Sequence, residues 1–517
     1  MTSTFDVASV FAIVVVCVVT LVVGVFGLRL SRTTSDFYVA SRQVGPTRNA
    51  SAISGEYLSA ASFLGVAGLI YERGFDSLWF PVGYTSGYVV LLVLVAAPLR
   101  RSGAYTIPDF AEMRMQSQAI RRMSTLLVVG IGWLYLLPQF QGAGFALRAV
   151  TGWPTWVGSL AVVITVVLGV AAGGMRSITL VQAMQYWLKL CALAIPAFIL
   201  LWVWTSHGAP GPRDVVGESI ELSNWYEPLT SSIHEPYPLY STYSTLLALC
   251  LGTMGLPHVL VRFYTNPDGK AARRTTTVVI ALIGLFYLFP PIYGVLGRVY
   301  LTPAGLDIPS DQVVLQLPRY ALPGLTGDIL AAVLAGGAFA AFLSTASGLV
   351  ISIAGVLAQD VLRPTLARLS AGDSGGVQHF RIAAVVAVTL PFVAAILTTP
   401  LGLARTVNLA FAIAASTFAP LLLLGVWWRR LSVIGAMAGL VVGGSMATAA
   451  AAVTVVVRPE AGLVATLIGQ PAAWCIPTAF LTAIVVSLFT QRSVPKGTAR
   501  TMARLHTPEG VELPSLR

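Results

Sequence analysis

The residues able to do chemistry in this chain are few, and they come in groups. From Asn49 the sequence reads Asn-Ala-Ser-Ala-Ile-Ser-Gly-Glu-Tyr-Leu-Ser-Ala-Ala-Ser-Phe-Leu-Gly65, which sets Ser51, Ser54, Gly55, Glu56, Ser59 and Ser62 in an otherwise apolar run. A second group, Leu251-Gly-Thr-Met-Gly-Leu-Pro-His-Val-Leu260, has Gly252, Gly255, Pro257 and His258 at its middle. A third, Ala340-Ala-Phe-Leu-Ser-Thr-Ala-Ser347, carries three hydroxyls. Hydroxyls, and backbone bared by glycine and proline, hold ions and small polar solutes by dipoles rather than by covalent chemistry. Nothing else points to catalysis. No Gly-x4-Gly-Lys-Ser/Thr phosphate loop is present, and Cys17, Cys191, Cys250 and Cys475 share no metal-ligand spacing.

The elements that must position these groups are membrane helices. Of 517 residues only 10% are charged and 56% are hydrophobic, with a mean hydropathy of +0.79. A soluble fold of this length lacks the polar material for its exterior, so a soluble enzyme is excluded. A hydrocarbon core about 30 Å thick needs about 20 apolar helical residues. That length predicts thirteen spans: 8–28, 49–70, 78–98, 123–149, 156–172, 178–204, 244–261, 276–300, 327–357, 381–399, 403–427, 432–457 and 472–490. They are numbered 1 to 13 below. The net charge of +11 comes from small basic groups between apolar runs, so it does not indicate nucleic acid. Alternate loops hold 24 of the 32 Lys and Arg residues, while the loop 205–243 on the other side is acidic. The positive-inside bias predicts an outside N-terminus, a cytoplasmic C-terminus and residence in the cell (plasma) membrane. Asp6 and the missing basic n-region argue against a cleaved signal peptide. Well inside the spans, away from their ends, only Glu56 and Lys189 read as charged.

A helix broken by small, polar or proline residues bares backbone that is tolerated at membrane depth only where it lines a cavity. Spans 2 and 7 are broken in this way, and they open two successive groups of five, 2–6 and 7–11. Interruptions at matching positions of two halves point to the binding site of a secondary transporter.

Several segments resemble the sodium:solute symporters, and among them the cation/acetate symporters of the monocarboxylate branch. They are Ser35-Asp-Phe-Tyr-Val-Ala-Ser-Arg42, Gly55 to Gly65, Tyr105-Thr-Ile-Pro-Asp-Phe110, Ala172-Gly-Gly-Met-Arg-Ser177, Gly252-Thr-Met-Gly-Leu-Pro-His258, Arg262-Phe-Tyr-Thr-Asn-Pro-Asp268, and Arg430 leading into Gly435-Ala436. The resemblance implies an all-α polytopic membrane protein of about 13 transmembrane helices with a five-plus-five inverted-repeat, LeuT-like core. The chain then forms one transporter domain: peripheral helix 8–28, core 49–427, peripheral helices 432–490 and a cytoplasmic tail 491–517. It further implies a sodium site made by the carbonyls of Gly55, Leu58 and Ala341 and the hydroxyls of Ser344 and Thr345. These are oxygen ligands suited to a hard cation. Gln182 stands where some members carry an Asp near the ion's exit path. A proton is the alternative coupling ion, with Glu56 its candidate carrier.

For a small monocarboxylate such as acetate, the candidate binding groups are Tyr57, Ser59, Ser62, His258, Gln139 and Gln141. Other family solutes (proline, a sugar, pantothenate) and a transporter-like sensor signalling through a partner kinase are the competing readings. Lys189 reads as snorkelling or pairing with an acid. No cofactor beyond the coupling ion is expected, and no partner beyond the carboxylate and the lipid bilayer.

Overall fold

The computed structural model describes residues 6–28, 44–216, 225–229, 236–303, 308–363, 375–398, 401–459, 462–509 and 511. The segment Ser35 to Arg42 lies outside them. Among the described residues every regular element is helical. By length and composition these helices make eleven membrane-crossing stretches, not thirteen. The difference comes from two joins. Spans 5 and 6 run together as Thr155–Ser206, and the second part of span 2 runs into span 3 as Ala61–Leu94.

A 52-residue helix is far longer than the bilayer is thick, so it has to turn. It does so at Gly174, whose φ of 59° and ψ of −160° are not helical. A side chain there is strained, whereas glycine has no Cβ to clash. Ser177 then donates its hydroxyl to Gly24 O at 2.7 Å, tying the turn to span 1. The Gly173-Gly174-x-x-Ser177 motif is thus a reversal and its clamp.

The other motif segments also resolve into local physics. Thr106 and Asp109 form a reciprocal capping box that starts the helix Ile107–Met115. Asp268 caps Gly269–Phe286, its carboxylate accepting from Ala271 N at 2.6 Å. Span 8 is itself broken, with Gly269–Phe286 followed by Pro290–Tyr300. The unbroken span at 276–300 was expected because the Pro290-Pro291 pair was absorbed into an apolar run.

Loops expected on one side of the membrane do meet at one end of the molecule. Arg101 reaches Glu509 at 3.3 Å, Arg114 donates to Gly425 O at 2.7 Å, and His506 lies 2.9 Å from Val426 O. At the opposite end Glu72 pairs with Arg405 at 3.1 Å, and Leu403 N donates to Asp311 at 3.1 Å. Between the ends, span 9 (Leu325–Val356) is buried along most of its length. It packs on Gln118–Thr151, on Thr155–Ser206 and on span 1. The first half of span 2 packs on Thr155–Ser206 and on span 8.

Candidate cation and substrate site

Span 2 is helical over Pro46–Tyr57 and again from Ala61. The break begins at Leu58, whose φ of −73° and ψ of 85° leave the helical region. Carbonyls just before such a break lose their intrahelical donors and need others. Lys189 supplies them. Its Nζ donates to Gly55 O at 2.5 Å, to Leu58 O at 2.7 Å and to Ser344 Oγ at 3.0 Å. An ammonium has three N–H donors, and all three are used here. Lys189 is fully buried, so it does not snorkel, and its three donors meet carbonyl and hydroxyl oxygens rather than an acid among the described residues.

These partners are three of the five groups that the resemblance assigned to sodium. The other two are engaged elsewhere. Ala341 O accepts from Ser344 Oγ at 3.1 Å, and Thr345 Oγ1 donates to Glu56 O at 2.6 Å. Spans 2 and 9 therefore meet as expected, and the cation between them is a lysine side chain from span 6.

Beside this contact lies a buried ion pair. Arg262 Nε donates to Glu56 Oε2 at 2.7 Å, and both side chains are 1% exposed. Arg262 also donates to Thr179 Oγ1 at 2.7 Å and to Gln182 Oε1. Gln182 Nε2 reaches Ser344 O at 2.8 Å, joining the ion pair to the lysine cluster. Glu56 Oε1 has no hydrogen-bond partner among the described residues. The expectation of only two charges within the spans is therefore corrected. Arg262, read as a loop residue, sits inside because the helix Pro257–Phe263 carries it one turn beyond His258.

The residues expected to bind substrate divide into those at the breaks and those away from them. Tyr57 lies at the break, its ring 4.8 Å from Tyr88 and 6.1 Å from Phe411. Its hydroxyl is engaged by Thr253 Oγ1 at 2.8 Å. His258 is buried against Tyr135, ring centroids 5.1 Å apart, with neither ring nitrogen hydrogen-bonded among the described residues. Ser59 is buried within the break, near the hydroxyl of Tyr135. Ser62 bonds to the Tyr287 hydroxyl at 2.8 Å. Gln139 caps the break, its Oε1 accepting from Ala60 N at 3.2 Å. Gln141 is turned to span 10, donating to Thr398 Oγ1 at 3.1 Å, and is not brought to the site.

Sequence reasoning missed most of the wall. Phe411 from span 11 touches Tyr57, Tyr84 and Tyr135, and Tyr84 stacks on Tyr287 at 5.8 Å. The hydroxyls of Tyr84 and Tyr88 are buried with no hydrogen-bond partner among the described residues. Tyrosines in apolar spans are indistinguishable by pattern from interfacial anchors, so the only usable signal was the Tyr84/Tyr88 spacing of one helical turn.

The sodium:solute symporter family model matches residues 37–443. The chain belongs to this family. A monocarboxylic acid transporter of Corynebacterium glutamicum is 32% identical to this symporter over 456 residues, 84% of this chain and 81% of that protein. An uncharacterized symporter of Bacillus subtilis is 33% identical over 430 residues, 82% of each. In three dimensions this symporter resembles a Na+-coupled sialic acid symporter, with a TM-score of 0.71 at 17% identity over 93% of this chain and 98% of that one. It also resembles Mhp1, a nucleobase-cation-symport-1 family transporter, with a TM-score of 0.53 at 13% identity over 92% and 99%. These likenesses show the fold, the five-plus-five inverted-repeat core expected of spans 2–11. The protein is a multi-pass membrane transporter, a secondary active symporter rather than an enzyme.

Proposed function

We propose that this symporter takes up a small monocarboxylate such as acetate across the plasma membrane, coupled to cation entry, sodium or proton. Its N-terminus then lies outside and its C-terminus in the cytoplasm. The observation that carries the reading is the charge inventory at the breaks. Glu56, Arg262 and Lys189 are all buried, and their formal charges leave one positive charge over. Burying an unbalanced charge is costly, and a monoanion arriving at the breaks would balance it. A neutral sugar would not.

The second support is the set of donors. His258, Tyr84 and Tyr88 are buried without side-chain hydrogen-bond partners among the described residues, and each can donate to a carboxylate oxygen. Around them the faces of Tyr57, Tyr135 and Phe411 offer an apolar surface for a short tail. The relative named as a monocarboxylic acid transporter is consistent with this class.

Transport is by alternating access. The carboxylate binds at the breaks of spans 2 and 7, the site closes behind it, and the inner end opens.

Proteoliposomes provide the test, with labelled acetate challenged by acetate, propionate, pyruvate, proline and glucose. Short monocarboxylates should compete, and His258→Ala should raise KM more than it lowers the maximal rate. Competition by proline or glucose but not by acetate would refute the substrate class. Saturable binding without uptake would refute transport in favour of sensing.

A further inference from the structure

The disagreement between the expected sodium ligands and the groups that Lys189 contacts has a consequence for coupling, given the symport reading above. We propose that Lys189 is a built-in substitute for the coupling sodium. Its ammonium fills the cation site between spans 2, 6 and 9, so that site takes no sodium and uptake does not draw on a sodium gradient.

Three observations carry this. The first is geometric. Lys189 Nζ lies 2.5 to 3.0 Å from Gly55 O, Leu58 O and Ser344 Oγ. A metal ion held by the same oxygens would take the place of the nitrogen, so the two are mutually exclusive. The second is the supply of partners. The remaining oxygens are committed, Ala341 O to Ser344 and the Thr345 hydroxyl to Glu56 O. A displaced ammonium would also have to find three new acceptors in a fully buried position. The buried carboxylate oxygen without a hydrogen-bond partner among the described residues, Glu56 Oε1, belongs to a group already paired with Arg262.

The third observation is charge. Glu56 and Arg262 neutralise each other, and Lys189 alone supplies the one positive charge that a bound cation would bring. A sodium beside it would put two like charges in one buried cluster, with no second buried acid among the described residues there to offset them. A tethered ammonium also plays the structural part of an ion. It bridges the carbonyls of broken span 2 to the hydroxyl of span 9, and it does so permanently.

The test separates this from the substrate reading by using acetate counterflow, which needs no ion gradient. Vesicles preloaded with unlabelled acetate exchange it for labelled acetate in sodium or in choline medium. The expected result is an equal rate in both. Counterflow present in sodium and lost in choline would overturn the proposal, whereas no counterflow in either medium would refute the substrate reading instead.

Binding of radiolabelled sodium to the purified full-length protein gives an independent readout. The wild type should show no saturable binding. Lys189→Ala should acquire it, and adding Ser344→Ala to that variant should remove it. Saturable wild-type binding that Ser344→Ala abolishes would overturn the proposal, as would a folded Lys189→Ala that binds no sodium. Should Lys189→Ala not fold, the two wild-type measurements decide the matter alone.

Discussion

Replacing Arg262 by Met tests whether the buried charges act as one unit. In the wild type the guanidinium meets Glu56 Oε2 at 2.7 Å with both side chains 1% exposed. It also bonds Thr179 and Gln182. Met retains much of the apolar stem and none of the donors. The Glu56 carboxylate is then buried with Oε2 newly bare, and Oε1 already lacks a hydrogen-bond partner among the described residues. Breaking a buried pair from one side costs about 3–5 kcal/mol. Glu56→Gln should cost less, roughly 1–3 kcal/mol, because Arg262 keeps Thr179 and Gln182. The double variant leaves no unpaired carboxylate, so its loss should fall short of the summed single losses by about 2–3 kcal/mol. Equilibrium unfolding of the four proteins in detergent micelles, followed by tryptophan fluorescence, measures this cycle. Additivity within about 0.5 kcal/mol, or an Arg262→Met protein as stable as wild type, would refute the coupling.

Three further outcomes follow from single contacts. A Cβ at Gly348 would run into the Glu56 carboxylate; Gly348→Ala should therefore impair folding and uptake, and the same change in a Glu56→Ala background should be tolerated better. Burial raises the pKa of Asp311 to about 6, against the lowering effect of its hydrogen bond from Leu403 N. Because its folded pKa lies above the unfolded value, Asp311 favours the folded state fully below about pH 4, and that contribution is lost as pH rises through about 6. Asp311→Asn should accordingly flatten the pH dependence of the melting temperature between these limits, and an unchanged slope would count against it. At the opposite end Arg121 binds Asp109 at 2.8 Å, Glu112 at 2.5 Å and Asp360 at 2.6 Å. Arg121→Ala should lower unfolding stability by about 1–3 kcal/mol, and a variant indistinguishable from wild type would show the hub to be inert.

Much of the architecture was legible because it depends on length and periodicity. The membrane spans and the breaks at spans 2 and 7 show as runs of residue type, and the resemblance to the family implied the pairing of spans 2 and 9. The capping box at Thr106 and Asp109 is equally local. The turn inside Thr155–Ser206 showed only as the gap between spans 5 and 6, since it is a backbone torsion at Gly174 rather than a loop of distinctive composition. Arg262 was misplaced for a related reason. An arginine near a span end looks like a cytoplasmic anchor until its helix is seen to restart at Pro257, deep in the protein.

By itself the sequence determined the solvent of this protein and where its helices break, because apolar length and broken helices are properties of contiguous residues. It marked Glu56 and Lys189 as unusual, and it could not say what either touches. Lys189 is 134 residues from Gly55, 131 from Leu58 and 155 from Ser344. Only the packing of Thr155–Ser206 against both span 2 and span 9 brings its ammonium onto the oxygens expected to hold sodium. Which cation fills a ring of dipoles depends on distances of about 3 Å between separate helices, and those distances exist only once the chain has folded.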